Sequence, residues 1–280
     1  MRRRDMLKPD IIRECQDMRH LSWTRVRNSS GTVGTYLKAF GKEGGKKIYY
    51  KLSNYDSVHG VIGHENVNEI IADRLLTILG IPHLSYQLMF ARIIPEDKEV
   101  NAWICASEDF KEAGETKLAL DDYYDMMKMS GESPLAFCIR NAWTDYIREM
   151  LLTDFLLCNR DRHGANMEVL MKRKEGSVRL APLFDHGLSL LYSCHTEEEV
   201  RQFDIMADRP VQCFVGSRSA FDNLKMTDIQ GFPEVRPLEE RDRSILLQGL
   251  DAACPEYLLN RIWEMIWKRW KYYESMRNQR

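Results

Sequence analysis

The chain has 280 residues, 44% of them hydrophobic, with a formal net charge of −2. That length fills one large domain or two modest lobes, and the near-neutral balance supplies no global basic field for nucleic acid. No apolar run approaches the roughly 20 residues of a membrane helix, and the arginines of "MRRR", which read as a solvated tail, lead into no apolar segment of a secretory signal.

Residues 10–20 suggest a short lead-in helix. "SSGTVGTYLKAFGKEGGKKIYYKLS" predicts two strands. Thr32, Val33, Thr35, Tyr36 and Leu37 carry the first and Ile48, Tyr49 and Tyr50 the second, with "GKEGGKK" as the turn. In "ENVNEIIADRLLTILG" the residues Val67, Ile70, Ile71, Leu75, Ile78 and Leu79 recur at helical spacing, and Gly80 with Pro82 ends the helix. "LSYQLMFARII" and "NAWICAS" follow as strands around "PEDKE". From about residue 118 the pattern turns helical, and "RNAWTDYIREMLLTDFLLC" predicts a long helix. A hairpin, "MEVLMKRKEGSVRLAPLFD", comes next. The chain then returns to helix, and Leu259, Ile262, Trp263, Ile266, Trp267 and Trp270 line one face as an interior docking stripe. A strand-rich half and a helical half meet within "SEDFKEAGETK". The expected organisation is an α+β chain of two lobes, 1–110 and 111–280.

Seven cysteines, an odd number with no Cys-x-x-Cys pair, suit reduced thiols in a cytoplasm. Cys158, His163, Cys194 and His195 match no usual zinc spacing.

Two short stretches concentrate polar chemistry. "DRHGAN" holds Asp161, His163 and Asn166, and "FDHG" holds Asp185. The predicted hairpin returns the second stretch toward the first. Asp161, Asn166 and Asp185 are oxygen donors that suit a hard cation such as magnesium, and Asp161 is also placed to take a proton from an attacking hydroxyl. Upstream, the small residues of "SSGTVG" let backbone N–H groups approach phosphate oxygens. Lys51 on a strand and Glu69 on the next helix make a pair that aims an ammonium at phosphates, with Glu65 one turn earlier as the second choice of partner. Glycine loop, lysine strand, glutamate helix, catalytic acid, amide and metal acid occur in the order a phosphoryl-transfer site uses. Taken singly, each is an ordinary turn, edge or surface residue.

"DRHGAN" followed by "LFDHGLSL" resembles the catalytic and metal motifs of HipA-like serine/threonine kinases, and is similar to the corresponding motif pair of phosphoinositide 3- and 4-kinases. "NEIIADRLLTILGI" resembles the HipA-type helix. The likeness runs over about 29–190 and implies a two-lobe kinase fold that uses ATP and Mg2+. It implies Asp161 as catalytic aspartate and Asn166 and Asp185 as metal ligands. Lys51 becomes the phosphate-contacting lysine, Glu69 its partner, and His163 the brace of the catalytic loop. The phosphate loop falls on Gly31, Thr32, Val33 and Gly34, and the adenine hinge on the backbone of Cys105, Ala106 and Ser107. Autophosphorylation is expected at Ser29 or Ser30, which precede that loop. The implied partners are ATP, a protein acceptor and an antitoxin-like or regulatory protein, with neither membrane nor direct nucleic-acid binding. Two departures stand out: residues 1–28 leave no room for the extra subdomain of full-length HipA toxins, and His186 stands where such a motif often has phenylalanine. Within the same chemistry, a lipid or small-molecule kinase and a nucleotide-binding pseudokinase are the alternative readings. A serine hydrolase is disfavoured because no Gly-x-Ser-x-Gly elbow occurs.

Overall fold

The structure is a computed structural model that describes residues 9–27, 33–229 and 231–279. Its strand-rich part contains β1 (Ile11–Asp17), β2 (Thr24–Arg27), β3 (Val33–Glu43), β4 (Lys46–Leu52), the short β5 (Tyr55–Asp56) and β6 (Gly60–Val61), α1 (Glu65–Leu79), β7 (Gln87–Ile93) and β8 (Val100–Glu108). Then come β9 (Thr116–Ala119), α2 (Leu120–Met127), α3 (Pro134–Arg140), α4 (Thr144–Leu157), β10 (Asp161–Arg162), β11 (Glu168–Lys172) and β12 (Ser177–Leu180). The chain closes with α5 (Glu197–Gln202), β13 (Gln212–Cys213), α6 (Ala220–Lys225), α7 (Asp242–Leu247) and α8 (Glu256–Asn278).

Six strands form one sheet in the order β1-β7-β8-β4-β3-β2. Gly44 and Gly45, with φ of 55° and 82°, make the β3–β4 turn that two consecutive left-handed residues require. Along β4, Ile48, Tyr50 and Leu52 are buried on one face with Leu37, Ala39, Met89, Ala91 and Ile104. The alternation places Lys51 on the opposite face. α1 belongs to a second, larger core, where Ile71, Leu75 and Leu76 join residues of the helical half. Gly80 ends α1 at φ 79°, and the Ile81 N–H reaches back to Leu76 O at 3.0 Å.

The expected lead-in helix is a strand. Ile11 and Ile12 pair in parallel with Leu88 and Met89, and the Leu88 N–H reaches Asp10 O at 2.7 Å. A segment this short has weak helical preference, so backbone pairing to an available sheet edge decides its state. The long helix also begins later than its sequence suggests. Arg140 closes α3, Ala142 has φ 60°, and α4 starts at Thr144. The helical half likewise opens on a strand, β9, which pairs with β11; β11 pairs in turn with β12 in the expected hairpin. α8 buries Leu259, Ile262, Trp263, Ile266 and Trp270 against α4, and Trp267 stacks on Trp263 at 5.5 Å between ring centroids.

Candidate functional site

The sheet, α1 and the turn after β12 meet at Lys51. Its Nζ lies 2.8 Å from Glu69 Oε1 and 2.8 Å from Asp185 Oδ1. Burial works against the charged amine, but the two carboxylates outweigh it and hold Lys51 well above its ordinary pKa. Burial also opposes ionisation of Asp185, and Lys51 together with Lys38 holds that carboxyl well below the usual range. Lys38 pairs across the ladder with Lys51 and so shares its face. Glu69 is nearly sealed from solvent, and burial pushes its carboxyl up against the pull of Lys51.

α1 fixes this turn through more than Glu69 Oε1. Glu69 Oε2 accepts the His186 backbone N–H at 2.9 Å. The Asn68 amide donates to Gly187 O and Ser189 O, each at 3.0 Å. Tyr86 accepts the Asp185 N–H at 3.2 Å. A Cβ at Gly187 would come within 3.3 Å of the Glu65 Cβ, so the helix and the turn approach closely there. Asp185 itself sits at φ 60°, a left-handed conformation that Asp and Asn adopt more readily than other side chains.

The catalytic-loop candidate follows α4. Cys158 ends the helix at φ 52°, and β10 carries Asp161 into a short parallel pairing with β13. Asn166 Nδ2 donates to Asp161 O at 2.7 Å and to Asp161 Oδ2 at 3.1 Å. His163 Nδ1 accepts the Ala165 N–H at 3.2 Å, and His163 Nε2 lies 3.5 Å from Asp161 Oδ1. Beneath the loop, the buried Arg162 binds Asp154 through Nε and Nη2 and donates from Nη1 to Asn166 O and Phe184 O, at 3.2 and 2.9 Å. One guanidinium therefore ties the Asp161–Asn166 loop to the segment entering Asp185. Gly164 is required by proximity, since a Cβ there would sit 2.6 Å from that of Asp121.

The structure thus brings Lys51, Glu69 and Asp185 together, and joins Asp161, His163 and Asn166 in the neighbouring loop. Glu65 does not reach Lys51; it accepts from the Tyr36 hydroxyl and the Asn54 N–H. Ser29, Ser30, Gly31 and Thr32 lie outside the described residues. Val33 and Gly34 open β3 at the end of that segment. The expected hinge residues Cys105, Ala106 and Ser107 lie on β8. The Asp109 N–H to Lys47 O bond at 2.9 Å sets the ladder alternation, which directs the backbone groups of Cys105 and Ser107 toward β4. Ala106 pairs with Gln87 on the other side. All three are engaged within the sheet, and the first backbone past the β7 pairing that faces away from β4 is Glu108. Cys105 instead presents its side chain beside Lys51, where burial pushes the thiol up.

Among the described residues no cluster of three or more His, Cys, Asp or Glu could hold a metal, which leaves the Cys158, His163, Cys194 and His195 set without zinc geometry. The oxygen set of Asp185 and Asn166 still fits magnesium, which takes one or two protein oxygens together with substrate phosphates and water. Asn166 uses its Nδ2 on Asp161, which leaves its Oδ1 as an acceptor, and Asp185 keeps Oδ2 free of hydrogen bonds from the described residues.

Arg162, Asp154, Asn68 and Tyr86 were not singled out from the sequence. In "NRDRHGAN" an arginine reads as surface charge, and only the carbonyls 4 and 22 residues on reveal its role.

No protein-family model matches the chain and no curated protein matches it. Among solved structures it is similar to the Helicobacter pylori proinflammatory kinase CtkA, with 14% identity, a TM-score of 0.61, and 95% of this chain and 99% of that chain covered. It also matches HipA of Shewanella oneidensis MR-1, solved with HipB and its operator DNA, with 15% identity, a TM-score of 0.40, and 88% of this chain and 58% of that one covered. The likeness to CtkA shows the fold: a mixed α+β, two-lobe kinase-like architecture. Among the described residues no helix is long and apolar enough to cross a membrane.

Proposed function

We propose that the chain is an ATP- and magnesium-dependent phosphotransferase acting on serine or threonine hydroxyls of a protein. The observation that carries this reading is Lys51, held at 2.8 Å by both Glu69 and Asp185 on a kinase-like fold. A buried ammonium fixed by two acids is a preorganised positive site for phosphate oxygens. Residues 1–110 and 111–280 serve as the two lobes of this reading.

Asp161 accepts the proton of the acceptor hydroxyl as that oxygen attacks the γ-phosphorus. The bond from that phosphorus to the β,γ-bridging oxygen breaks, and its electron pair leaves on ADP. Lys51 holds phosphate oxygens through the transfer. Asn166 orients the Asp161 carboxylate, and His163 braces the loop. Asn166 and Asp185 would hold magnesium, which supplies charge neutralisation between the β- and γ-phosphates. The adenine edge falls to backbone groups from Glu108 onward, and the residues that join β2 to β3, with Gly31 to Gly34, form the phosphate loop. A protein partner, a cytoplasmic site of action and phosphorylation at Ser29 or Ser30 belong to the same reading. A phosphoserine there adds close to two negative charges beside the nucleotide phosphates and lowers ATP affinity.

Incubation with labelled ATP and magnesium, with and without a generic protein acceptor, tests the proposal. Label on this chain or on the acceptor, lost in Asp185→Asn, supports it. Saturable ATP binding without transfer to any acceptor overturns it in favour of a binding module. Mapping the digested product locates any phosphate at Ser29 or Ser30.

A further inference from the structure

A cavity of about 510 Å³ opens beside Asp161, and neither Lys51 nor Asp185 lines it. One wall is the loop from Pro210 to Ser219. That loop is rigidly built. The Val211 N–H reaches Arg218 O at 3.0 Å, and the buried Asn223 takes the Ser217 N–H at 2.7 Å and donates to Ser217 O at 3.0 Å. A Cβ at Gly216 would stand 2.3 Å from Asn223 Oδ1, so the bend requires glycine. Arg218 thereby lines the cavity together with Arg160 and Asp161.

The lining holds two arginines and a single acid, Asp161. Arg160 donates its Nε to Pro210 O at 3.2 Å, and neither its Nη groups nor the Arg218 guanidinium meets a carboxylate among the described residues. Asp208, just before the loop, accepts from Ser219 Oγ and the Ala220 N–H instead. Leu188 and Tyr192 supply an apolar side.

We propose that this cavity is the acceptor subsite and takes a peptide whose serine or threonine is flanked by an aspartate or glutamate. The proposal rests on the phosphotransferase reading, and it names the substrate class for that site. The hydroxyl reaches Asp161, and the flanking carboxylate accepts from Arg160 and Arg218 in the bidentate geometry guanidinium favours. A multiply phosphorylated lipid headgroup brings more charge than two guanidiniums balance and leaves the apolar side unfilled.

The test uses fluorescent serine peptides of one length with aspartate, alanine or lysine flanks. Binding is read by anisotropy without nucleotide, and transfer is read with labelled ATP. The aspartate peptide is expected to bind at least tenfold more tightly than the alanine peptide at low salt. Arg218→Glu is expected to reverse the order in favour of the lysine peptide, a gain that a misfolded variant does not produce. Equal binding of the three peptides overturns the inference, and so does preferential phosphorylation of phosphoinositide vesicles. Transfer that is indifferent to the flank overturns the subsite and leaves the phosphotransferase reading standing. The predicted binding order with no transfer to any acceptor supports the anionic subsite and removes the phosphotransferase reading.

Discussion

In the proposed reading Lys51 serves two purposes at once, and substitutions can separate them. Glu69 has only 2% of its side chain exposed, so removing its cation leaves an uncompensated buried charge. Lys51→Met is therefore expected to cost about 3 kcal/mol of stability and to lower transfer about a hundredfold. Adding Glu69→Gln is expected to recover most of the stability and none of the transfer. Urea melts and single-turnover rates on the two variants and the wild type check both halves; recovered transfer in the double variant would remove Lys51 from the chemistry. Asp185→Asn isolates the second acid. Asparagine tolerates the φ of 60°, so the fold is expected to hold while magnesium-dependent nucleotide binding and transfer are lost. Titration with a fluorescent ATP analogue, with and without magnesium, reads this directly. These residues were legible in the sequence because each is a polar group inside a compact motif. Asn68 and Tyr86 were not, because each acts on backbone groups about a hundred positions away, and no local pattern records that.

Among the elements, β10 and the turn after β12 depend on one side chain. Arg162 is 1% exposed and links Asp154, Asn166 O and Phe184 O. Arg162→Met leaves Asp154, which keeps only the Asn159 amide as a side-chain partner, without its counter-ion in the interior, and both carbonyls without their donor. The expected loss is about 3–5 kcal/mol. Adding Asp154→Leu is expected to restore part of that stability without restoring the loop geometry, so transfer stays low. Chemical denaturation with parallel rate measurements distinguishes this from simple unfolding, in which both quantities would recover together. At this scale the strong periodicities of α1, α4, α8 and the β11–β12 hairpin made the elements readable. β1 was misread because Ile11, Ile12 and Cys15 repeat at helical spacing, and only its neighbour β7 specifies a strand. The apolar run of β8 likewise does not show where β7 stops pairing, beyond Gln87 and Ala106.

For the whole molecule, acid sensitivity follows from a histidine folded in its neutral form. His64 precedes α1, its Nε2 is buried without a partner among the described residues, and burial, with a smaller push from His195, lowers its pKa from 6.5 to about 4. The unfolded chain therefore takes up a proton below pH 6.5 that the folded chain refuses. Stability is fully present above 6.5 and is lost as pH falls toward 4. Between pH 7.5 and pH 5 this one group contributes a loss of about 2 kcal/mol. Urea midpoints at the two pH values measure it, and His64→Gln is expected to shrink the difference by that amount. An unchanged difference in the variant places the acid sensitivity elsewhere.

Arg74 of α1 donates its Nε to Asp10 at 2.7 Å and its Nη1 to Leu246 O and Gln248 O at 3.0 and 2.8 Å. Nearby, the Arg236 N–H reaches Leu79 O at 3.0 Å, and Arg13 donates to Gly249 O at 3.2 Å. The helix that bears Glu69 is thus stitched to residues made long after it. During synthesis, with the chain leaving the ribosome at roughly 5–20 residues per second, the strand-rich half waits about ten seconds or more for residues 236–249 before α1 gains these contacts. Until then α1, which presents Glu69 to Lys51, lacks these polar anchors. In the proposed reading, full transfer activity is therefore expected only once residues 236–249 have joined the fold.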